Sequence, residues 1–74
     1  MKELTQNDTI LLHLQRGHAL TSMTAFQLWA ITRLSGRILE LRKLGYDIST
    51  TMEGRGRTRF AVYRLAHAQQ RAAA

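Results

Sequence analysis

The chain is short and basic: 74 residues with 11 Lys and Arg against 5 Asp and Glu, a net charge of +6. That length supports one small domain, which buries only about 60% of its unfolded surface, and the lack of cysteine excludes a disulfide framework or a thiolate zinc site. No apolar run approaches the roughly 20 residues of a membrane span and no signal-peptide core opens the chain, so a soluble cytoplasmic protein is expected, nucleoid-associated if its host is bacterial.

Leu4 to Gln15 reads as a first helix. Thr5 or Asn7 can cap it, Ile10, Leu11 and Leu14 make its inner stripe, and Gly17 supplies a left-handed stop. Ala19 and Leu20 suffice for an edge strand or an extended link. Thr21 or Ser22 then caps a second helix to about Trp29, with Ala25 and Leu28 inward and Phe26 or Trp29 closing one side. At the end of so apolar a helix, Trp29 reads as a plug between helices rather than a platform for a base. Ala30 to Thr32 leaves room only for a tight turn.

Residues 31–46 carry the third helix and the most informative pattern. Leu34, Ile38 and Leu41 form an apolar seam, and the other side holds Thr32, Arg33, Gly36, Arg37, Glu40 and Lys43. Arg33 and Arg37 stand one turn apart beside two small residues, Ser35 and Gly36. Long donors with little bulk beside them suit a helix entering a DNA major groove. Glu40, three residues from both Arg37 and Lys43, can pair with either on a solvated face or orient Arg37. Leu39 points away from the seam, and three fates are open to it: packing on a C-terminal hairpin, touching thymine methyls, or forming a dimer patch.

That hairpin is signalled by a change of period after Gly45. Ile48, Thr50 and Met52 alternate with polar neighbours, as do Ala61, Tyr63 and Leu65 further on, and Glu53 to Thr58 between them contains two glycines. Two period-two runs joined by a glycine-bearing loop make a β-hairpin. Ala66 to Ala74 lack any branched aliphatic or aromatic residue, so the domain closes at residue 65 and residues 66–74 form a frayed helical extension or a flexible tail.

The charge is not evenly spread. Between residues 33 and 64 stand eight basic groups (Arg33, Arg37, Arg42, Lys43, Arg55, Arg57, Arg59, Arg64) and three acids (Glu40, Asp47, Glu53), a net of +5 out of +6. Basic surface gathered in one half of a small domain points to a polyanion, of which nucleic acid is the commonest. The element order is helix, short strand, helix, tight turn, helix, hairpin: an α+β, mainly α, winged helix-turn-helix. In that plan the third helix lies in the major groove and the hairpin reaches backbone or minor groove beside it. Here the hairpin tip is Gly54-Arg55-Gly56-Arg57, with Arg59 just behind it. The candidate DNA-binding set is therefore Thr32, Arg33, Ser35, Gly36, Arg37, Glu40, Lys43, Arg55, Arg57 and Arg59.

The residues Leu20-Thr21, Ala25, Leu28-Trp29, Arg33-Leu34-Ser35-Gly36-Arg37-Ile38, Leu41-Arg42, Leu44-Gly45-Tyr46-Asp47-Ile48, Arg59-Phe60-Ala61 and Tyr63-Arg64-Leu65 resemble a family of small winged helix-turn-helix proteins common in bacteriophage and prophage genomes. The similarity runs from residue 5 to residue 65. It implies a winged helix-turn-helix fold and a DNA-binding protein. Two positions depart from the pattern. Thr24 stands where a capping-box glutamate is usual, and Ala30 where a glycine often makes the turn.

Catalysis has little support. His13, His18 and His67 lie on separate elements without cysteines or paired carboxylates beside them, and the glycines of residues 54 and 56 lack the lysine-serine and following helix of a phosphate loop. The reading is a non-enzymatic, cofactor-free binder of double-stranded DNA, a phage or prophage transcription regulator or an excisionase-like architectural factor. It would act as a homodimer or cooperative multimer, because one such domain covers about half of an operator. The rival from another class is a protein-interaction module, a phage-encoded binder or inhibitor of a host or phage protein. An RNA-binding winged helix is a third possibility.

Overall fold

The computed structural model describes residues 5–69, so the expected helix start at Leu4 and the end of the tail, residues 70–74, lie outside it. The first helix, α1 (Gln6–Gln15), starts at Thr5, whose hydroxyl accepts from the Asp8 N–H at 3.1 Å while the Asp8 carboxylate accepts from the Thr5 N–H at 3.1 Å. This reciprocal box satisfies two N–H groups that a helix start otherwise leaves bare. Gly17, with φ of 88°, turns the chain into the short strand β1 (Leu20–Thr21). Helix α2 (Ser22–Trp29) follows at once, capped by the Thr21 hydroxyl, which accepts from Thr24 N–H at 3.1 Å. In place of the missing glutamate, the Thr24 hydroxyl accepts from that of Thr21 at 3.0 Å.

The turn between α2 and α3 (Leu34–Lys43) is built on Ala30 in the left-handed region, φ 57° and ψ 29°. This turn corrects two expectations. Leu28 is not a core residue; it is 58% exposed, because α2 is only eight residues long and buries the line from Ala25 to Trp29, leaving Leu28 to one side. Its place is taken by Ile31, 2% exposed, which the left-handed residue swings back so that its N–H donates to the Ala25 carbonyl at 3.3 Å. The third helix is also shorter than residues 31–46, since Thr32 and Arg33 precede its first turn and Gly45, at φ 106°, lies past its end.

A non-glycine residue in the left-handed region costs about 1–2 kcal/mol, and the greater chain entropy of glycine offsets about 0.5–1 kcal/mol of the relief from replacing it. Ala30→Gly is therefore expected to stabilise the domain by about 0.5–1 kcal/mol. The check is a higher urea midpoint at unchanged slope; a lower midpoint would show that the alanine methyl contributes packing that outweighs the strain.

After α3 come β2 (Ile48–Glu53) and β3 (Phe60–Leu65), antiparallel and in register from Ile48 opposite Leu65 to Glu53 opposite Phe60. Strand β1 pairs with the other edge of β3, Leu20 opposite Tyr63 and Thr21 opposite Val62, giving the order β1-β3-β2. One core joins all the elements: Ile10 and Leu14 of α1, then Leu20, Ala25 and Ile31, then Leu34, Ile38 and Leu41 of α3, and Ile48, Tyr63 and Leu65 of the sheet, with Leu11, Trp29 and Tyr46 packed at its edge. Thr50 and Met52 continue the inner-face alternation but are exposed, because the hairpin runs on beyond the core. Of the expected tail, His67–Gln69 forms one 3-10 turn, and the Gln69 amide donates to the Gly45 carbonyl at 3.1 Å. No helix among the described residues is long and apolar enough to cross a membrane.

Candidate nucleic-acid interface

Helix α3 exists because Leu34, Ile38 and Leu41, spaced by four and three, bury one stripe. The same spacing fixes what it offers outward. At 100° per residue, Gly36, Leu39, Glu40 and Lys43 oppose that stripe, and all four are exposed. A Cβ built on Gly36 meets nothing within 4 Å, so glycine here leaves open space rather than filling a tight packing need. Thr32 and Arg33 stand exposed before the first turn. Arg33 occupies the cap position without a side-chain hydrogen bond to the helix, so the first N–H groups of α3 have no capping side chain.

The arginines divide by what they already hold. Arg37 lies on the flank of α3 towards α1, where its Nη1 sits 2.8 Å from Glu40 Oε1 and its Nε donates to Gln6 Oε1 at 3.2 Å. Glu40 Oε2 in turn accepts from Asn7 Nδ2 at 3.5 Å. The outward carboxylate and guanidinium are thus steadied by the first turn of α1. Arg42, on the opposite flank, points its fork at β2. Nε and Nη2 donate to the Ile48 carbonyl at 2.9 and 2.7 Å, and Nη2 also to Thr50 Oγ1 at 2.7 Å. It fastens the end of α3 to the root of the hairpin. Arg64 pairs across the sheet with Glu53 at 3.1 Å.

The remaining cations among the described residues, Arg16, Arg33, Lys43, Arg55, Arg57 and Arg59, have no hydrogen-bond or ion-pair partner for their side chains. Arg16 ends α1, where a positive charge complements the helix dipole. The other five fall on α3, its cap and the hairpin tip.

The hairpin tip is an ordered turn. Gly54 has φ of 101°, and a Cβ there would come 2.5 Å from the Thr58 carbonyl oxygen. The 3-10 turn Gly56–Thr58 closes when Thr58 N–H and Oγ1 both donate to the Arg55 carbonyl, at 2.9 and 2.6 Å. Arg55, Arg57 and Arg59 then radiate from a shaped loop, all exposed. Gly54→Ala combines a forbidden φ with a backbone clash, so it should cost about 1–3 kcal/mol or reshape the tip. Amide chemical shifts should move over residues 53–60 and stay put in α1; an unperturbed spectrum would contradict this loop geometry.

Residues that sequence reasoning singled out for DNA are all at the surface, Arg37 alone being half-buried. It missed the residues that position them: Gln6 and Asn7 on Arg37 and Glu40, Thr58 under the hairpin tip, and Arg42 as a pin. Only Thr58 carried a local signal, a hydroxyl residue three positions after the turn's first carbonyl.

Among known proteins, no curated protein and no solved structure matches the chain significantly. A family model described as a winged helix-turn-helix domain matches residues 5–68, which is nearly every described residue. Three helices, a β1-β3-β2 antiparallel sheet and a basic, glycine-cornered wing therefore have one family context: the chain belongs to the winged helix-turn-helix domain family.

Proposed function

We propose that this domain binds double-stranded DNA, with α3 in the major groove and the wing on the backbone or in the minor groove. The observation that carries this reading is the sorting of the cations. Of those used by the protein itself, Arg42 and Arg64 brace the hairpin and Arg37 is held by Glu40 and Gln6, whereas Arg33, Lys43, Arg55, Arg57 and Arg59 are unpaired on α3 and the wing. Leaving five cations unpaired on two neighbouring elements keeps them available for phosphates. Thr32, Ser35, Gly36, Arg37 and Glu40 complete the surface, with Glu40 and Arg37 acting as one hydrogen-bonded unit.

The role that fits is a transcription regulator or an excisionase-like architectural factor of phage type, without catalysis or cofactor. A domain this small covers about one half-site, so homodimers or cooperative rows on DNA are expected. Anisotropy titration of a random duplex over a salt series is the test. If all five free cations meet phosphates, the log–log slope should approach about −4.5, at about −0.9 per phosphate. Absence of duplex binding at low salt would overturn the reading, and competition with bulk RNA excludes a general polyanion sink.

One observation favours a protein partner instead. Met23 and Phe60, 70% and 47% exposed, line a largely apolar groove of about 560 Å³ between the start of α2 and the tip end of β3. Failure of the duplex titration would make this groove the leading candidate interface.

A further inference from the structure

We propose that α3 selects thymine-containing sites through Leu39, which would contact the thymine 5-methyl group. This rests on the DNA-binding reading above and goes beyond it by naming what the helix reads.

Leu39 sits in the middle of α3 on the face opposite Leu34, Ile38 and Leu41, and is 52% exposed. Of the fates open to it, packing on the hairpin is excluded. The flank of α3 that meets β2 is held by Arg42 on Ile48 and Thr50, and Leu39 belongs neither to the core nor to the partly buried side chains around it. One turn before it stands Gly36, with open space where a side chain would be, and one turn after it stands Lys43, unpaired. Glu40 beside it is already bonded to Arg37 and Asn7. The centre of the presented surface is therefore an aliphatic group flanked by a gap and a cation, with the neighbouring carboxylate of Glu40 engaged by Arg37 and Asn7.

The major-groove edge of a base pair carries donors and acceptors, and its one apolar group is the thymine methyl. An aliphatic side chain pressed against N7, O6 or N4 would strip water from a polar atom and return no hydrogen bond. Against the methyl it buries carbon on both sides. The gap at Gly36 lets the helix backbone approach, and Lys43 can reach a phosphate or a guanine from the next turn.

The full chain should first select its preferred duplex from a random library, after which each thymine is replaced in turn by deoxyuridine, a change that deletes only the methyl. At one or two positions the uracil duplex should bind the wild type about fourfold more weakly per methyl, the factor expected for one buried carbon. Leu39→Ala, which removes an exposed side chain and leaves the fold intact, should bind thymine and uracil duplexes alike. Equal uracil losses in wild type and Leu39→Ala, or no methyl-sensitive position, would overturn the proposal. So would a variant whose only defect is weaker self-association in sedimentation. If random duplex is bound but no sequence is enriched, the thymine reading falls and the DNA-binding reading stands; if no duplex is bound, the DNA-binding reading itself has failed.

Discussion

Ile38→Ala is expected to destabilise the domain by about 2–5 kcal/mol. Ile38 is fully buried in the middle of α3, in the one cluster that joins α1, α2, α3 and the sheet. Truncating it removes the transfer free energy of its branched end and leaves a cavity that three helices and a sheet cannot all collapse into. A domain of this length has only about 4–11 kcal/mol of stability, at 0.05–0.15 kcal/mol per residue. The loss should appear as a broad, low-temperature melt or as partial unfolding in buffer. Leu28→Ala is the matched control. Hydrophobic pattern alone puts Leu28 in the same core, but it is 58% exposed and its truncation should cost no more than about 0.5 kcal/mol. Equal effects of the two substitutions would contradict this packing, and a cooperative, unshifted Ile38→Ala melt would contradict the seam itself.

The contrast between these leucine and isoleucine positions shows where sequence reasoning about this fold reaches its limit. Periodicity locates three helices and the hairpin because each buries a stripe with its own repeat, 3.6 residues or 2. The stop at Gly17 is legible, and each cap is legible to within two residues, Thr5 or Asn7 and Thr21 or Ser22, of which Thr5 and Thr21 serve, because hydroxyl and glycine chemistry acts within a few residues. The exchange of Leu28 for Ile31 is not legible. It comes from a left-handed alanine at residue 30, a conformation that alanine does not advertise and that tertiary packing imposes. The start of α3 shifts for the same reason, since Thr32 and Arg33 are consumed in that turn.

The candidate interface is legible as a set of surface residues but not as a set of available ones. Counting charges treats Arg42 and Arg64 as equals of Arg55 and Arg57. Their partners, the Ile48 carbonyl and Glu53, lie 6 and 11 residues away; the turn from α3 into β2 brings the first to Arg42, and the β2–β3 pairing brings the second to Arg64. The Gln6 hydrogen bond that steadies Arg37 spans 31 residues and has no local signature at all. Exposure of a face follows from helix geometry; which of its charges remain unpaired depends on the neighbours that folding supplies.

Replacing Arg55, Arg57 and Arg59 together by alanine is expected to have the largest effect on DNA affinity. The three side chains are exposed and bonded to nothing in the protein, and the turn beneath them is held by Gly54, Thr58 and the Arg55 carbonyl, so the wing should keep its shape. Each phosphate no longer neutralised flattens the log–log salt slope by about 0.9 and, by the same exponent, weakens binding roughly eightfold at 0.1 M salt. The triple variant should therefore lose up to about 2.7 units of slope, and preferred and random duplexes should suffer by similar factors. Arg37→Ala should behave differently. It removes a long donor from α3 and leaves the Glu40 carboxylate without its 2.8 Å partner, so the preferred site should lose about 1–3 kcal/mol and much of its advantage over random duplex. The outcome that would reverse these assignments is specificity lost with the wing arginines and kept without Arg37. Recognition would then lie in the minor groove, where a narrow tract attracts arginine by shape, and α3 would serve to position the wing.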